Sequence, residues 1–217
     1  MKSFVVIPIY NEGKHIQKVI SETRKYVDNI VVVDDGSKDN TKETLKEIQE
    51  ITVLTHIVNL GKGSALKTGC EYAKKEGANK IVVLDGDGQH DPKEIPYFLN
   101  KLDNHDIVFG CRKRSNVMPF VFRFGNWFLT KTIENLFKIK LNDTQGGYRA
   151  FTVDAYDKIK WQSTDYSVES EMIANTGKAG LNYTEISIET IYNDKYKGTT
   201  IIDGFKIFLK MINWRLG

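Results

Sequence analysis

Short apolar runs of the kind that fill a buried strand recur along the first half of the chain, at residues 4–9, 30–33, 52–58, 80–84 and 106–110. Val and Ile dominate them, which suits a pleated, covered surface. Between them, residues 13–26, 39–49, 64–76 and 92–101 place apolar side chains at the spacing of a helix with one buried face. Strand and helix in alternation predict a mostly parallel sheet with helices on both faces, an α/β fold. Helix starts are signalled by Asp39, by Ser64 after Gly63, and by Asp91 ahead of Pro92, because a side-chain oxygen can take an unpaired N–H of the first turn and proline suits the first helical position. In such sheets ligands bind beyond the carboxyl ends of the strands. That rule selects the loops at 8–13, 34–38, 59–63, 85–91 and 110–114, where the unusual residues lie.

Composition narrows the partners. A chain of 217 residues can build one core without splitting, and nothing in it reads as a linker. Its formal charge of +3 is too small to point to nucleic acid. Cys70 and Cys111 lack metal-ligand spacing and suit a reduced, cytoplasmic protein. Met1 and Lys2 lead straight into a strand-like run, which leaves no room for a cleavable leader, and no segment approaches the roughly 20 apolar residues of a membrane span.

The chemistry concentrates at Asp85, Gly86, Asp87, Gly88, Gln89, His90, Asp91, directly after a wholly apolar strand. Two carboxylates one residue apart point the same way, and the glycines let a ligand approach the backbone, which suits a divalent cation held against a diphosphate. A solvated acidic turn is the plainer alternative. His90 stays outside this set, since hard oxygen donors suit Mg²⁺ or Mn²⁺. Pro8, Tyr10, Asn11 and Glu12 follow the first strand, and Asp34, Asp35, Gly36 and Ser37 follow the second. Their carboxylates could accept hydrogen bonds from a base or a ribose, or Asp35 and Ser37 could simply cap the next helix. Asn59, Leu60, Gly61, Lys62, Gly63 form a weak anion-binding pattern that could equally be a turn.

Taken in order, Pro8–Glu12, the Asp34–Thr41 segment (DDGSxDxT), Asn59–Ala65 (NxGKGxA) and Asp85–His90 (DGDGQH) resemble the family 2 glycosyltransferases of the GT-A fold. Gly110 with Arg112, Arg123 with Gly125 and Asn126, Asp143, Gly147–Phe151, Glu171 and Glu185–Ile188 narrow the resemblance to the polyprenyl-phosphate (dolichyl-phosphate) mannosyltransferase group, over nearly the whole chain. The resemblance implies a single domain over 1–217, with a nucleotide-sugar-binding half at 1–114 and an acceptor-side half at 115–217. It implies nucleotide-sugar contacts at Pro8, Tyr10, Glu12, Asp35, Lys62 and Asp85, and a metal shell of Asp85, Asp87 and Gln89 filled by Mg²⁺ or Mn²⁺. Phosphate-clamping arginines would be Arg112, Arg123 and Arg149. The acceptor side departs from the group's pattern: Ser187 stands where many relatives have Pro, and Lys195, Gly198, Thr200 and Ile201 replace an Arg, Gly, Ser, Lys pattern. Arg114, Lys195 and Thr200 are the acceptor-phosphate candidates.

A sugar leaving a nucleotide departs as a diphosphate whose developing charge a divalent ion can stabilise. A phosphate monoester acceptor, with a second pKa of about 6, is already mostly dianionic at neutral pH and needs no base. It needs cationic groups, and guanidinium suits phosphate best. Asp143 could orient Arg149, and Glu171 reads either as support for the site or as a helix-surface residue. A hydroxyl acceptor would instead require a carboxylate base, Glu169 or Glu171. Phe120, Phe122, Phe124, Trp127, Phe128 and Phe137 interleave with Lys113, Lys131, Lys138 and Lys140, and a last helix places Ile201, Phe205, Phe208 and Ile212 on one face. Both stretches suit the boundary of an anionic membrane, or else core packing. The expected partners are GDP-mannose or UDP-glucose as donor, a polyprenyl phosphate, the cytoplasmic face of a membrane and, alternatively, a membrane-anchoring subunit. A third reading is a nucleotide-binding module without catalysis.

Overall fold

The structure, a computed structural model, describes residues 1–112, 120–189, 191 and 201–216. Seven strands make one sheet: β1 (Ser3–Ile9), β2 (Asn29–Asp34), β3 (Thr52–Thr55), β4 (Lys80–Val83), β5 (Ile107–Arg112), β6 (Arg149–Thr152) and β7 (Tyr183–Ile188). They lie in the order β3-β2-β1-β4-β6-β5-β7. All neighbours run parallel except β6, which is antiparallel to both β4 and β5. The first five strands fall where the apolar runs predict them, with β3 ending at Thr55 rather than residue 58. The strands β6 and β7 lie beyond what the pattern predicts.

Among the described residues eight α-helices flank the sheet: α1 (Ile16–Thr23), α2 (Thr41–Lys46), α3 (Lys62–Lys75), α4 (Ile95–Lys101), α5 (Phe120–Phe137), α6 (Val153–Ile159), α7 (Val168–Lys178) and α8 (Ile201–Leu216). Alternation along the strands sorts the core into two layers. Val6, Val31, Val33 and Val83 pack with α3 and with the second-half helices, while Val5, Ile7, Val32 and Val82 pack with α1 and α4. Asp91 caps the turn before α4, accepting from the Lys93 N–H at 3.0 Å. Ser64, expected to start a helix, sits inside α3, which begins at Lys62 after Gly61; its hydroxyl donates back to the Leu60 carbonyl.

The amphipathic stretches of the second half split between the two readings. In α5, Leu129, Ile133 and Phe137 are buried, while Trp127 and Phe128 are exposed. In α8, Ile207 and Met211 fill the core and Leu209 and Ile212 face outward. Among the described residues, no helix is long and apolar enough to cross a membrane.

What positions the site is the close seating of α3 on β1 and β2. A Cβ on Gly69 would lie 2.4 Å from Val6 Cγ1 and 3.0 Å from Val33 Cγ2. Because those valines are locked in the core, Gly69→Ala is expected to destabilise the protein by ~1–3 kcal/mol. That loss should lower the melting temperature by about 2–4 °C per kcal/mol in differential scanning calorimetry.

Candidate active site

The strand order reverses between β1 and β4, and in open α/β sheets that switch point is where a ligand crevice forms beyond the carboxyl ends of the strands. Asp85 follows β4 after Leu84. Its Oδ1 lies 2.6 Å from Lys62 Nζ, and the same ammonium lies 2.7 Å from Glu169 Oε1. Lys62, expected in a loop, is the first residue of α3 and bridges β4 to α7. Burial would lower the lysine's pKa, but Asp85 and Glu169 outweigh it and hold the group above its ordinary value. Burial would likewise raise Asp85, and the charges of Lys62 and then His90 bring it below the usual carboxylate range.

The loop after β4 is internally braced. Asp87 Oδ1 accepts from the Gln89 N–H at 3.0 Å and its Oδ2 from the Gln89 side-chain amide at 2.8 Å. His90 is buried, stacks on Tyr148 at 5.0 Å, and takes the Asp85 N–H on Nδ1 at 3.1 Å. Burial depresses its pKa despite Asp85 and Asp87. Its lone pair therefore serves the backbone.

Gly147, arriving from the start of β6, leaves the space beside Asp85. A Cβ there would lie 2.6 Å from Asp85 Oδ2 and 2.9 Å from Lys62 Nζ. Among the described residues no three His, Cys, Asp or Glu side chains converge to enclose a metal by themselves. The donor set of Asp85, Asp87 and Gln89 consists of hard oxygens beside an open cradle, and it fits a divalent ion that takes further oxygens from phosphate.

Asp35 is 2% exposed and does not cap α2. Its Oδ1 meets His56 Nδ1 at 2.7 Å and the Leu60 N–H at 2.9 Å, and its Oδ2 takes the Gly61 N–H at 2.8 Å. His56 continues from Nε2 to Thr68 Oγ1 at 3.0 Å. Ser37 also does not cap: its hydroxyl accepts the Asn11 N–H. Pro8 is buried under this edge, Tyr10 is 40% exposed at its rim, and the Glu12 carbonyl accepts from His15 and Ile16 at the start of α1.

The glycines of the Asn59–Gly63 segment have a different cause from the anion loop considered above. A Cβ on Gly61 or Gly63 would come within 2.3 Å of the Thr164 carbonyl oxygen or 2.1 Å of the Ser163 carbonyl oxygen. The glycines admit the 161–164 segment, which is fastened by Gly63 N–H to Thr164 O at 2.8 Å and by Trp161 Nε1 to Gly63 O at 2.8 Å. Glu171 holds the same segment, accepting the Gln162 and Ser163 N–H groups at 2.8 Å each. It is 4% exposed, which corrects its reading as a helix-surface residue.

Arg149 is a further correction. Expected to clamp a phosphate, it is 1% exposed and donates to the carbonyls of Gly146, Glu169 and Thr144, with its guanidinium 5.2 Å from the Phe109 ring centroid. Burial pushes its pKa down to about 10, with Glu169 and Asp143 opposing. Its donors are consumed by main chain that folds around it. Asp143 does not orient it but pairs with Arg112, Nε to Oδ2 at 2.6 Å and Nη2 to Oδ1 at 3.0 Å. Burial raises the Asp143 carboxyl and Arg112 more than reverses this, leaving it below its ordinary range. Arg114, Lys195, Thr200 and the side chain of Arg123 lie outside the described residues. His56, Gly147 and the partnership of Glu169 with Lys62 went unmarked by periodicity or spacing, because each contact joins segments far apart in the chain.

A mostly parallel sheet flanked by helices, with paired carboxylates at its switch point, is the arrangement of the GT-A glycosyltransferases. The chain belongs to glycosyl transferase family 2, whose family model matches residues 4–160. It is 33% identical to a UDP-N-acetylglucosamine–dolichyl-phosphate N-acetylglucosaminyltransferase of Methanococcus voltae, covering 99% of this chain and 96% of that one. Identity is 26% to an undecaprenyl-phosphate mannosyltransferase of Micrococcus luteus, over 87% and 83% of the two chains. Among solved structures, glucosyl-3-phosphoglycerate synthase of Mycobacterium tuberculosis with Mn²⁺, UDP-glucose and phosphoglyceric acid superposes with a TM-score of 0.77 at 16% identity, covering 99% of this chain and 79% of that one. The protein is an enzyme of the glycosyltransferase class.

An interior role for Arg149 has a measurable signature. Arg149→Met strands three buried carbonyls, each unpaired acceptor costing about 1–3 kcal/mol, so urea denaturation should show a loss of at least about 3 kcal/mol. A variant of wild-type stability would return Arg149 to the phosphate.

Proposed function

We propose that the protein transfers a sugar from a nucleotide-sugar to a polyprenyl phosphate at a membrane surface. The observation that carries this reading is that both glutamates considered as a general base already hold partners in the protein, Glu169 through one of its oxygens. Glu171 accepts two main-chain N–H groups, and Glu169 is 6% exposed and paired with Lys62. A hydroxyl acceptor would need such a base, whereas a phosphate monoester with a second pKa of about 6 arrives ionised. The dolichyl-phosphate and undecaprenyl-phosphate transferases that align with most of the chain support the same acceptor class.

Asp85 and Asp87, with Gln89, would hold Mg²⁺ or Mn²⁺ against the donor diphosphate. Bound there, the ion would supply Lewis-acid stabilisation of the departing nucleoside diphosphate. Pro8, Tyr10, Glu12 and Asp35 border the nucleoside crevice, and the hydrogen bonds from His56, Leu60 and Gly61 fix the Asp35 carboxylate so that it accepts from the ligand without reorganising. On the acceptor side Arg112, oriented by Asp143 at the end of β5, lowers the cost of bringing one polyanion up to another. Attack by the phosphate oxygen on the anomeric carbon, opposite the leaving diphosphate, inverts its configuration. The outward faces of α5 and α8, with Trp127, Phe128, Leu209 and Ile212 beside Lys131 and Lys206, suit contact with an anionic membrane.

Two measurements test the reading. Incubating the protein with Mn²⁺, a short-chain polyprenyl phosphate and radiolabelled nucleotide-sugars in turn should move label into the organic phase for at least one donor. Asp87→Ala should reduce that rate by at least ~100-fold, and full activity of that variant in a chelator would remove the metal from the scheme. The protein should also sediment with vesicles containing anionic lipid at low salt and be released as ionic strength rises. Absence of binding at low salt would favour a soluble acceptor.

A further inference from the structure

The carboxylate that would receive a divalent ion already has a cation on it. Lys62 Nζ sits 2.6 Å from Asp85 Oδ1 in a setting where the lysine side chain is 16% exposed and the aspartate 26%. Opposite charges at that range and burial neutralise each other strongly, and a second cation brought to the same carboxylate meets the ammonium's repulsion with little water to screen it. The empty protein therefore binds a metal poorly at Asp85 unless Lys62 gives way.

Two separate observations show where Lys62 can go. Among the described residues Glu169 Oε2 is buried with no hydrogen-bond partner, although Oε1 of the same group holds the ammonium at 2.7 Å. An orphaned buried carboxylate oxygen is costly, and a donor shifting towards it removes the cost. Gly147 keeps side-chain bulk away from the ammonium, since the Cβ it lacks would lie 2.9 Å from Lys62 Nζ.

We propose that Lys62 is a resident counter-ion that holds Asp85 in the donor-free protein and releases it only to a cation arriving with a nucleoside diphosphate. The ammonium then swings towards Glu169 and the diphosphate oxygens, so its charge passes from protein carboxylate to ligand. Metal binding becomes conditional on the nucleotide, and the diphosphate is met by two cations rather than one. This inference rests on the metal-site reading of Asp85 given above. Lys62 acts here as a positioning residue that sets the order of binding.

The test measures Mn²⁺ binding directly, by the electron paramagnetic resonance amplitude of the free ion, with no turnover involved. The proteins are wild type, Lys62→Met, and Lys62→Met combined with Glu169→Gln, the last neutralising Glu169 as well so that Asp85 is the one carboxylate left without the ammonium. Each is titrated alone, with UDP and with GDP. Wild type should bind Mn²⁺ weakly alone and at least about tenfold more tightly with one of the nucleotides, while both variants should bind Mn²⁺ alone about tenfold more tightly than wild type and gain less from nucleotide. Variants that fold, by circular dichroism, yet bind Mn²⁺ alone no better than wild type overturn the role of Lys62 while leaving the metal site standing. Absence of Mn²⁺ binding by wild type with either nucleotide overturns the metal-site reading and this inference with it.

Discussion

One ammonium shared by two carboxylates holds the site together. Lys62 begins α3, Asp85 lies two residues beyond the end of β4 and Glu169 is in the first turn of α7, so a single half-buried charge joins segments from the two halves of the chain. Such a cluster is stable only as a whole, since removing one member strands a charge at a cost of about 3–5 kcal/mol. The neighbouring contacts reinforce the joint. Trp161 and Thr164 bind the main chain of Gly63, and Glu171 pins the segment between them. The start of α3 is therefore as much a seam between halves as a wall of the crevice.

Buried charge in this protein does two kinds of work. Arg149 and Glu171 are spent on main chain, where each satisfies carbonyls or N–H groups that irregular backbone would otherwise leave unpaired. Lys62, Asp85, Arg112 and Asp143 are paired with one another and remain partly accessible at the crevice. Partial exposure separates the second group from the first, and it is the property a ligand requires.

The sheet's first five strands and the location of the site were legible because both rest on local pattern. Apolar runs fix strands, and the residues directly after those runs fall at the crevice whatever the details of packing. The acidic pair at Asp85 and Asp87 needed nothing more. Glycine and charge were harder to read. Gly61 and Gly63 looked like ligand-binding glycines, yet they are required by carbonyls of residues 163 and 164, about a hundred positions away in the chain. The same holds for Arg149, whose type suggested phosphate but whose register opposite Val83 and Phe109 places it in the interior. Strand β6 escaped because Arg149 opens it and only Ala150 and Phe151 make an apolar run, and its antiparallel insertion between β4 and β5 depends on two partners that both lie far upstream in the chain.

That insertion has a consequence for how the chain reaches this state. When residues 1–112 have been synthesised, β1, β2, β3 and β4 can pair, but the side of β4 that later meets β6 has nothing to hydrogen-bond with, and β4 is buried along its whole length in the finished protein. An open, apolar strand margin of this kind templates association with other chains. Closure waits for a segment more than 60 positions downstream, from Val83 to Arg149, a non-local pairing of the sort that slows folding. Nascent or truncated forms ending before β6 are accordingly the species most exposed to misassociation.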